Sequence, residues 1–442
     1  MSIGAELPLW SILPFAGMLL SIAVMPLVAP HFWESNLRKG IVSALFALPV
    51  AIHLIVGFGH EGVHELLEKG MEYASFILLL LALFAISGGI VVRGSLSGTP
   101  LLNTALLAIG GLLASVIGTT GASMLMIRPL LRANAPRERK LHIVVLFIFI
   151  VSNCGGLLTP LGDPPLFLGF LKGVPFEWTL SLWKEWLLVN GLLLLIFNFW
   201  DQQVFNAEEA ARPGSQLEQV LAHEPLAIEG KRNALFLVGV VATILASGRG
   251  FGNGGEVWPF GVQEGLMALL ALAAYGVTPA RLRAANNFTF GPIVEVAVLF
   301  AGIFVTMAPA LLLLNAHAED LGVREPWQFF WASGLLSSFL DNAPTYMTFA
   351  AAACGLHGIP VEGRYLADLL AIGKEGSELI AAISCGSVMM GANSYIGNGP
   401  NFMVKAIAEE AGIRMPSFFG YMLYSVGILI PIFVVVTFVF FR

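Results

Sequence analysis

Acidic, amide and hydroxyl side chains that interrupt long apolar runs are the residues of this sequence with chemistry to offer. Ser152 to Gly169, SNCGGLLTPLGDPPLFLG, packs four glycines, three prolines and Asp163 into the middle of an otherwise apolar stretch. Gly391 to Phe402, GANSYIGNGPNF, interrupts a second one, and Leu161–Phe167 line up with Ile396–Phe402 so that Asp163 falls opposite Asn398. Such backbone leaves amides and carbonyls unpaired in lipid. It is tolerated where it lines a cavity, and there freed carbonyls and half-helix ends become ion ligands. Two further interruptions carry polar groups: Gly118-Thr119-Thr120-Gly121 with Ser123, and Asp341-Asn342-Ala343-Pro344 with Thr345. Hydroxyls and amides beside opened backbone suit a partly dehydrated cation and a small oxyanion alike.

The acids sharpen the choice. An aspartate deep in an apolar segment is expensive unless it is protonated, paired or solvated, and Asp341 has no adjacent basic partner. The expectation is a carboxylate at Asp341 for which a proton and a cation compete. Asp163 precedes Pro164, a good helix N-cap followed by proline at the first helical position, so it serves as cap alone or as cap plus ligand. We expect it to support the Asp341 site mainly by orienting its half-helix. Glu295 is the third acid, either functional or close enough to a span end to reach the interface. Neither motif contains an internal Lys or Arg, and Arg128 and Lys172 mark their outer ends. A multivalent anion would rely on half-helix dipoles.

These residues need a membrane to sit in. Of 442 residues 57% are hydrophobic and 12% charged, with mean hydropathy +0.81, more apolar surface than one soluble core can bury. Candidate helical spans are 8–30, 38–59, 71–92, 101–131, 141–171, 181–202, 233–248, 261–280, 288–314, 326–354, 377–406 and 416–441. The first is expected to be kept as a membrane helix, because it lacks a basic leader region. Gly118–Gly121 and Asp341–Pro344 make 101–131 and 326–354 re-entrant hairpins, while 141–171 and 377–406 are broken helices. With the N-terminus outside, fourteen basic residues, Arg137 among them, fall in cytoplasmic loops and seven, including Lys69 and Lys172, on the other side. The predicted fold class is an all-α polytopic membrane protein of two inverted-topology repeats, 1–202 and 233–442, joined by a polar cytoplasmic linker, 203–232. Paired interruptions at matching positions of two halves point to a transport site near the bilayer midplane.

Other classes find little support. Cys154, Cys354 and Cys385 lie in or beside apolar segments without metal-ligand spacing, and the histidines, His223 of the linker included, favour loops and segment ends. Charges sit in short loops rather than on one face, which gives no footing for nucleic acid. A channel does not explain paired inverted breaks, and no GxSxG pattern supports an intramembrane enzyme.

The sequence resembles the ion transporter superfamily, which includes NhaD-type sodium/proton antiporters, ArsB-type arsenite permeases and citrate or dicarboxylate carriers. NCGGLLTPLGDPP resembles its first broken-helix motif and FLDNAPT its hairpin-tip motif, and the layout agrees from first span to last. Within the superfamily it is most similar to bacterial proteins assigned as sodium/proton antiporters or citrate transporters. The resemblance implies an elevator-type secondary transporter of the bacterial inner membrane, usually a homodimer, with no cofactor. Carried over, the site comprises Ser152, Asn153, Thr159 and Asp163 with Asn393, Ser394, Asn398 and Asn401, plus Thr119, Thr120, Ser123, Asp341, Asn342 and Thr345 at the tips. Sodium would sit among Asp341, Asn342, Asp163 and Asn398. The first tip lacks the acid-amide pair kept at Asp341-Asn342, and neither tip has the Ser-Asn-Thr of dicarboxylate carriers. The expected function is exchange of sodium or lithium for protons, with transport of citrate, a dicarboxylate or arsenite as the alternative.

Overall fold

The computed structural model describes residues 3–95, 97–221 and 224–442, so His223 lies outside the described residues. The protein is an all-α polytopic membrane protein. Short single turns aside, the first half contains α1 (Leu13–Val28), α2 (Asn36–Ser87), a strand β1 (Val91–Ser95), α3 (Pro100–Ile117), α4 (Thr119–Ala133), α5 (Leu141–Ile150), α6 (Pro164–Leu171) and α7 (Trp183–Ala211). After β2 (Glu224–Glu229) come α8 (Arg232–Gly248), α9 (Val262–Val277), α10 (Gly291–Ala316), α11 (Pro326–Ser337), α12 (Asn342–Leu356), α13 (Tyr365–Ala371), α14 (Lys374–Met390), α15 (Gly399–Glu410), α16 (Phe418–Tyr424) and α17 (Ile430–Phe440). Among the described residues seven helices are long and apolar enough to cross a membrane. The other predicted spans appear as the short helices α8 and α9 or as helix pairs broken at the expected places.

Both hairpins form. α3 and α4 meet at Gly118, whose φ of 82° lies in the half of backbone space that a side chain disfavours. α11 and α12 meet through Ser338–Asp341, and α12 starts at Asn342. The broken helices are α5 with α6, separated by a 3-10 turn at Cys154–Leu158, and α14 with α15, separated by one at Gly391–Asn393. Every residue from His142 to Ile150 is buried, although this is among the most apolar segments of the chain. Its apolar surface meets protein rather than lipid. That placement lets the irregular backbone beside it be satisfied internally.

Three boundaries differ from expectation. No loop separates 59 from 71: the chain departs from helical geometry at Gly59 and continues as a second helical arm to Ser87, because Glu61, Glu65, Glu68 and Lys69 are good helix formers. Lys69, expected in an outer loop, is buried. The span 71–92 ends at Ser87, and β1 pairs antiparallel with β2, Val91 opposite Glu229. The polar linker is mostly regular, since α7 runs on to Ala211 before Pro213-Gly214 stop it, and Ser215–Leu221 and β2 follow. Polar composition marks contact with water and leaves the backbone free to remain helical.

Candidate transport site

The two breaks are held by the same local chemistry. Asp163 and Asn398 are both extended, with φ and ψ of −146° and 143° against −153° and 139°, and each immediately precedes a half-helix carrying proline in its first turn. Four residues earlier, Thr159 Oγ1 donates to the Ser115 carbonyl at 2.5 Å and Ser394 Oγ donates to the Ser338 carbonyl at 2.5 Å. The same two oxygens accept from Leu161 N at 3.1 Å and Ile396 N at 3.2 Å. A Cβ on Gly162 would lie 1.9 Å from the Gly156 carbonyl oxygen, and one on Gly397 2.5 Å from that of Gly391. Only glycine allows the break to fold back on itself at these points. Thr159 and Ser394 thus tie each break to the first arm of its own hairpin. Ser115 and Ser338 were missed from the sequence, though each stands three residues before its tip.

At the centre is Asp163. Its Oδ1 accepts from Thr119 Oγ1 at 2.9 Å and from Asn398 Nδ2 at 3.3 Å, and its Oδ2 accepts from Asn342 Nδ2. One donor comes from each tip and one from the opposite break, so residues 119, 163, 342 and 398 converge. Around them, Asn398 Nδ2 also donates to the Ser152 carbonyl at 3.1 Å and to Asn153 Oδ1 at 3.2 Å. Asn153 Nδ2 donates to Asn401 Oδ1 at 2.7 Å, Asn401 Nδ2 reaches the Gly391 and Ser394 carbonyls at 2.9 Å, and the Ser123 and Ser152 hydroxyls share a hydrogen bond of 2.8 Å. All are buried.

The expected division of work between the two aspartates is reversed in the geometry. Asp163 occupies the cap position but makes no side-chain cap bond, having turned its carboxylate to the centre. Asp341 caps α12 by accepting from Ala343 N at 3.1 Å, and Thr345 Oγ1 donates back to the Asp341 carbonyl at 2.9 Å. The physical reason is that Pro165 has no amide hydrogen to offer a cap and Leu166 N already donates to the Asp163 main-chain carbonyl at 3.1 Å, whereas Ala343 N is free to meet the Asp341 carboxylate. Glu295 stands apart from the network: it is 43% exposed and paired at 2.6 Å with the buried Lys39. Asn393 Nδ2 donates to Ser338 Oγ at 2.9 Å, outside the central set. Thr120 lines the approach to the site.

That approach is a cavity of about 90 Å³ between the second arm of α2 and the first tip. Phe76, Leu79, Leu80 and Leu83 form its wall, and Gly118–Gly121 with Asp163 its floor; no Lys, Arg or His is among its lining residues. Four half-helices, α4, α6, α12 and α15, begin at the centre and direct their positive ends there. Coordination by the carboxylate, hydroxyl and amide oxygens of such a site suits a small hard cation.

A family profile described as "Putative citrate transport" matches residues 4–441. The chain belongs to that family. It is therefore a multi-pass membrane protein of a transporter family, and the paired breaks and tips are the polar heart of its fold. A comparison with curated proteins returned no match.

Proposed function

We propose that the protein is a secondary transporter of the bacterial cytoplasmic membrane that exchanges sodium or lithium for protons, with Asp163 as the carboxylate for which the two ions compete. The observation that carries this reading is the surroundings of Asp163: three neutral donors, Thr119, Asn342 and Asn398, and no ion pair among the described residues. A bare buried carboxylate is costly, which leaves two low-energy states, one protonated and one bound to a dehydrated cation. The neighbours suit both. Each amide has an oxygen beside its NH₂, so turning the amide over replaces a donor to the carboxylate with a ligand for sodium. Asn342 Oδ1 is already buried without a protein partner. Loading one ion then expels the other, and competition supplies the coupling.

The matched tips and breaks support two inverted halves, 1–202 and 233–442, around a cytoplasmic linker. The resemblance to elevator-type carriers favours a homodimer in the bilayer. A second reading, transport of citrate, draws on the family description and on the four helix N-termini that meet at the site. Against it, the Asp163 carboxyl already occupies their focus and the cavity lining holds no basic side chain.

Purified protein in liposomes with an inward sodium or lithium gradient should move protons outward, read by a trapped pH dye, and should accumulate neither citrate nor arsenite. Uptake of either anion without sodium-linked proton movement overturns the cation reading.

A further inference from the structure

A buried ionic cluster that the exchange chemistry leaves unused joins the wall of the Asp163 cavity to the helix that begins at Asp163. On the second arm of α2, Glu65, Lys69 and Glu72 follow one another at helical spacing on one face. Lys69 Nζ lies 3.0 Å from Glu72 Oε1 and 3.9 Å from Glu65 Oε1. Lys172, the residue after α6, reaches the same Glu72 oxygen at 2.5 Å. None of these four side chains is more than 10% exposed. Lys172 Nζ also approaches the Gly363 carbonyl at 3.4 Å and lies 5.3 Å from the ring centre of Tyr365, whose hydroxyl is buried with no protein partner.

The position of this pair gives it a consequence. The eight residues of α6 span about 12 Å and carry Asp163 before one end and Lys172 after the other, so a shift of one end moves the other. One turn along α2 from Glu72, Phe76 begins the cavity wall, and Phe167 of α6 lines the same cavity. Where a cavity separates two apolar faces the side chains do not interlock, and the ion pair is a directional bond between them. A buried pair fixes position more than it adds stability, because desolvation offsets most of the attraction. Each member also keeps a substitute on separation: Glu72 keeps Lys69, and Lys172 keeps the Gly363 carbonyl and the Tyr365 ring.

We propose that the Lys172–Glu72 pair is a gate between α2 and α6, closed here and opening once in each transport cycle so that Asp163 changes the side from which ions reach it. This rests on the exchange reading in taking Asp163 as the ion site. The test uses the full chain in liposomes, with Cys154, Cys354 and Cys385 replaced by alanine, carrying Glu72→Cys and Lys172→Cys bridged by a short bis-thiosulfonate that reduction removes. Bridging should cut sodium/proton exchange at least about tenfold, with recovery on reduction, while sodium binding to the detergent-solubilised protein persists. Exchange that proceeds unchanged through the bridge overturns the gate. Should the double variant fail to fold, Lys172→Met keeps the apolar stem and leaves Glu72 with Lys69. Its exchange rate should rise about threefold at unchanged KM, with Lys172→Arg at the parent rate, whereas an unchanged or lower rate or a shifted KM overturns the proposal. If the parent moves citrate instead of sodium, the same bridge is assayed on citrate uptake, so the gate and the ion assignment fail separately.

Discussion

The two breaks share a backbone and differ in charge. Residues 159–163 and 394–398 have matching dihedral angles at their ends, matching hydroxyl ties and matching glycine contacts, yet one presents an aspartate and the other an asparagine. The tips divide likewise, with Thr119 in one and Asn342 in the other serving the same carboxylate. Repetition builds the frame, and a departure from it supplies the titratable group at the centre. A second acid at position 398 would set two carboxylates against each other at hydrogen-bonding distance, whereas an asparagine there donates to the first.

Making the breaks alike should have the largest effect. Asp163→Asn turns the first break into a copy of the second, and exchange in liposomes should fall at least about a hundredfold, to background, with the melting temperature in detergent little changed. In the parent, protons compete for the same carboxylate, so the apparent KM for sodium should rise about tenfold per pH unit on the acid side of its titration and level off above it. A pH-independent KM would remove Asp163 from the coupling step.

The glycines should come next. Gly162→Ala and Gly397→Ala each drive a methyl into a carbonyl oxygen, and overpacking of this kind costs about 1–3 kcal/mol, so both should melt earlier, Gly162→Ala more so because its approach is closer. Equal stability to the parent at either position would mean that the fold-back is not rigid. Thr159→Ala and Ser394→Ala each remove one tie, worth about 1 kcal/mol, and should lower stability by similar amounts. A large difference between them would break the equivalence.

Asp341→Asn should be the mildest, since asparagine caps a helix almost as well as aspartate, and exchange should stay within about threefold of the parent. Collapse of exchange in Asp341→Asn with activity retained in Asp163→Asn would restore the central role to Asp341.

Much of the frame was legible. The alignment of Leu161–Phe167 with Ile396–Phe402 placed Asp163 opposite Asn398, and the two now share a hydrogen bond of 3.3 Å. Glycine and proline in apolar runs announced both tips and both breaks because those residues disrupt helices wherever they fall. Lys69, expected in a loop, lies inside α2, and Lys172, in the turn after α6, is buried, since a lysine in an apolar chain signals an exposed span end unless a buried carboxylate waits for it. Arg137, placed in a cytoplasmic loop by charge, is likewise buried, 2.5 Å from Asp201, where His142 and Asn103 also converge. Arg139 is exposed and is the better position to label from either side of the membrane.

By itself the sequence determined that the chain lives in lipid, where its helices must break and which polar groups sit at the breaks. Those are consequences of local composition, since twenty apolar residues cross a bilayer and a glycine or proline interrupts them regardless of what lies nearby. Which aspartate faces the centre was decided only by the tertiary structure. Asp163 finds Thr119, Asn342 and Asn398 across 44, 179 and 235 residues of chain, while Asp341 finds an amide two residues away. A cap is satisfied locally and can be read from spacing. A carboxylate held by three distant elements has no local signature, because its partners are set by how the hairpins and breaks pack.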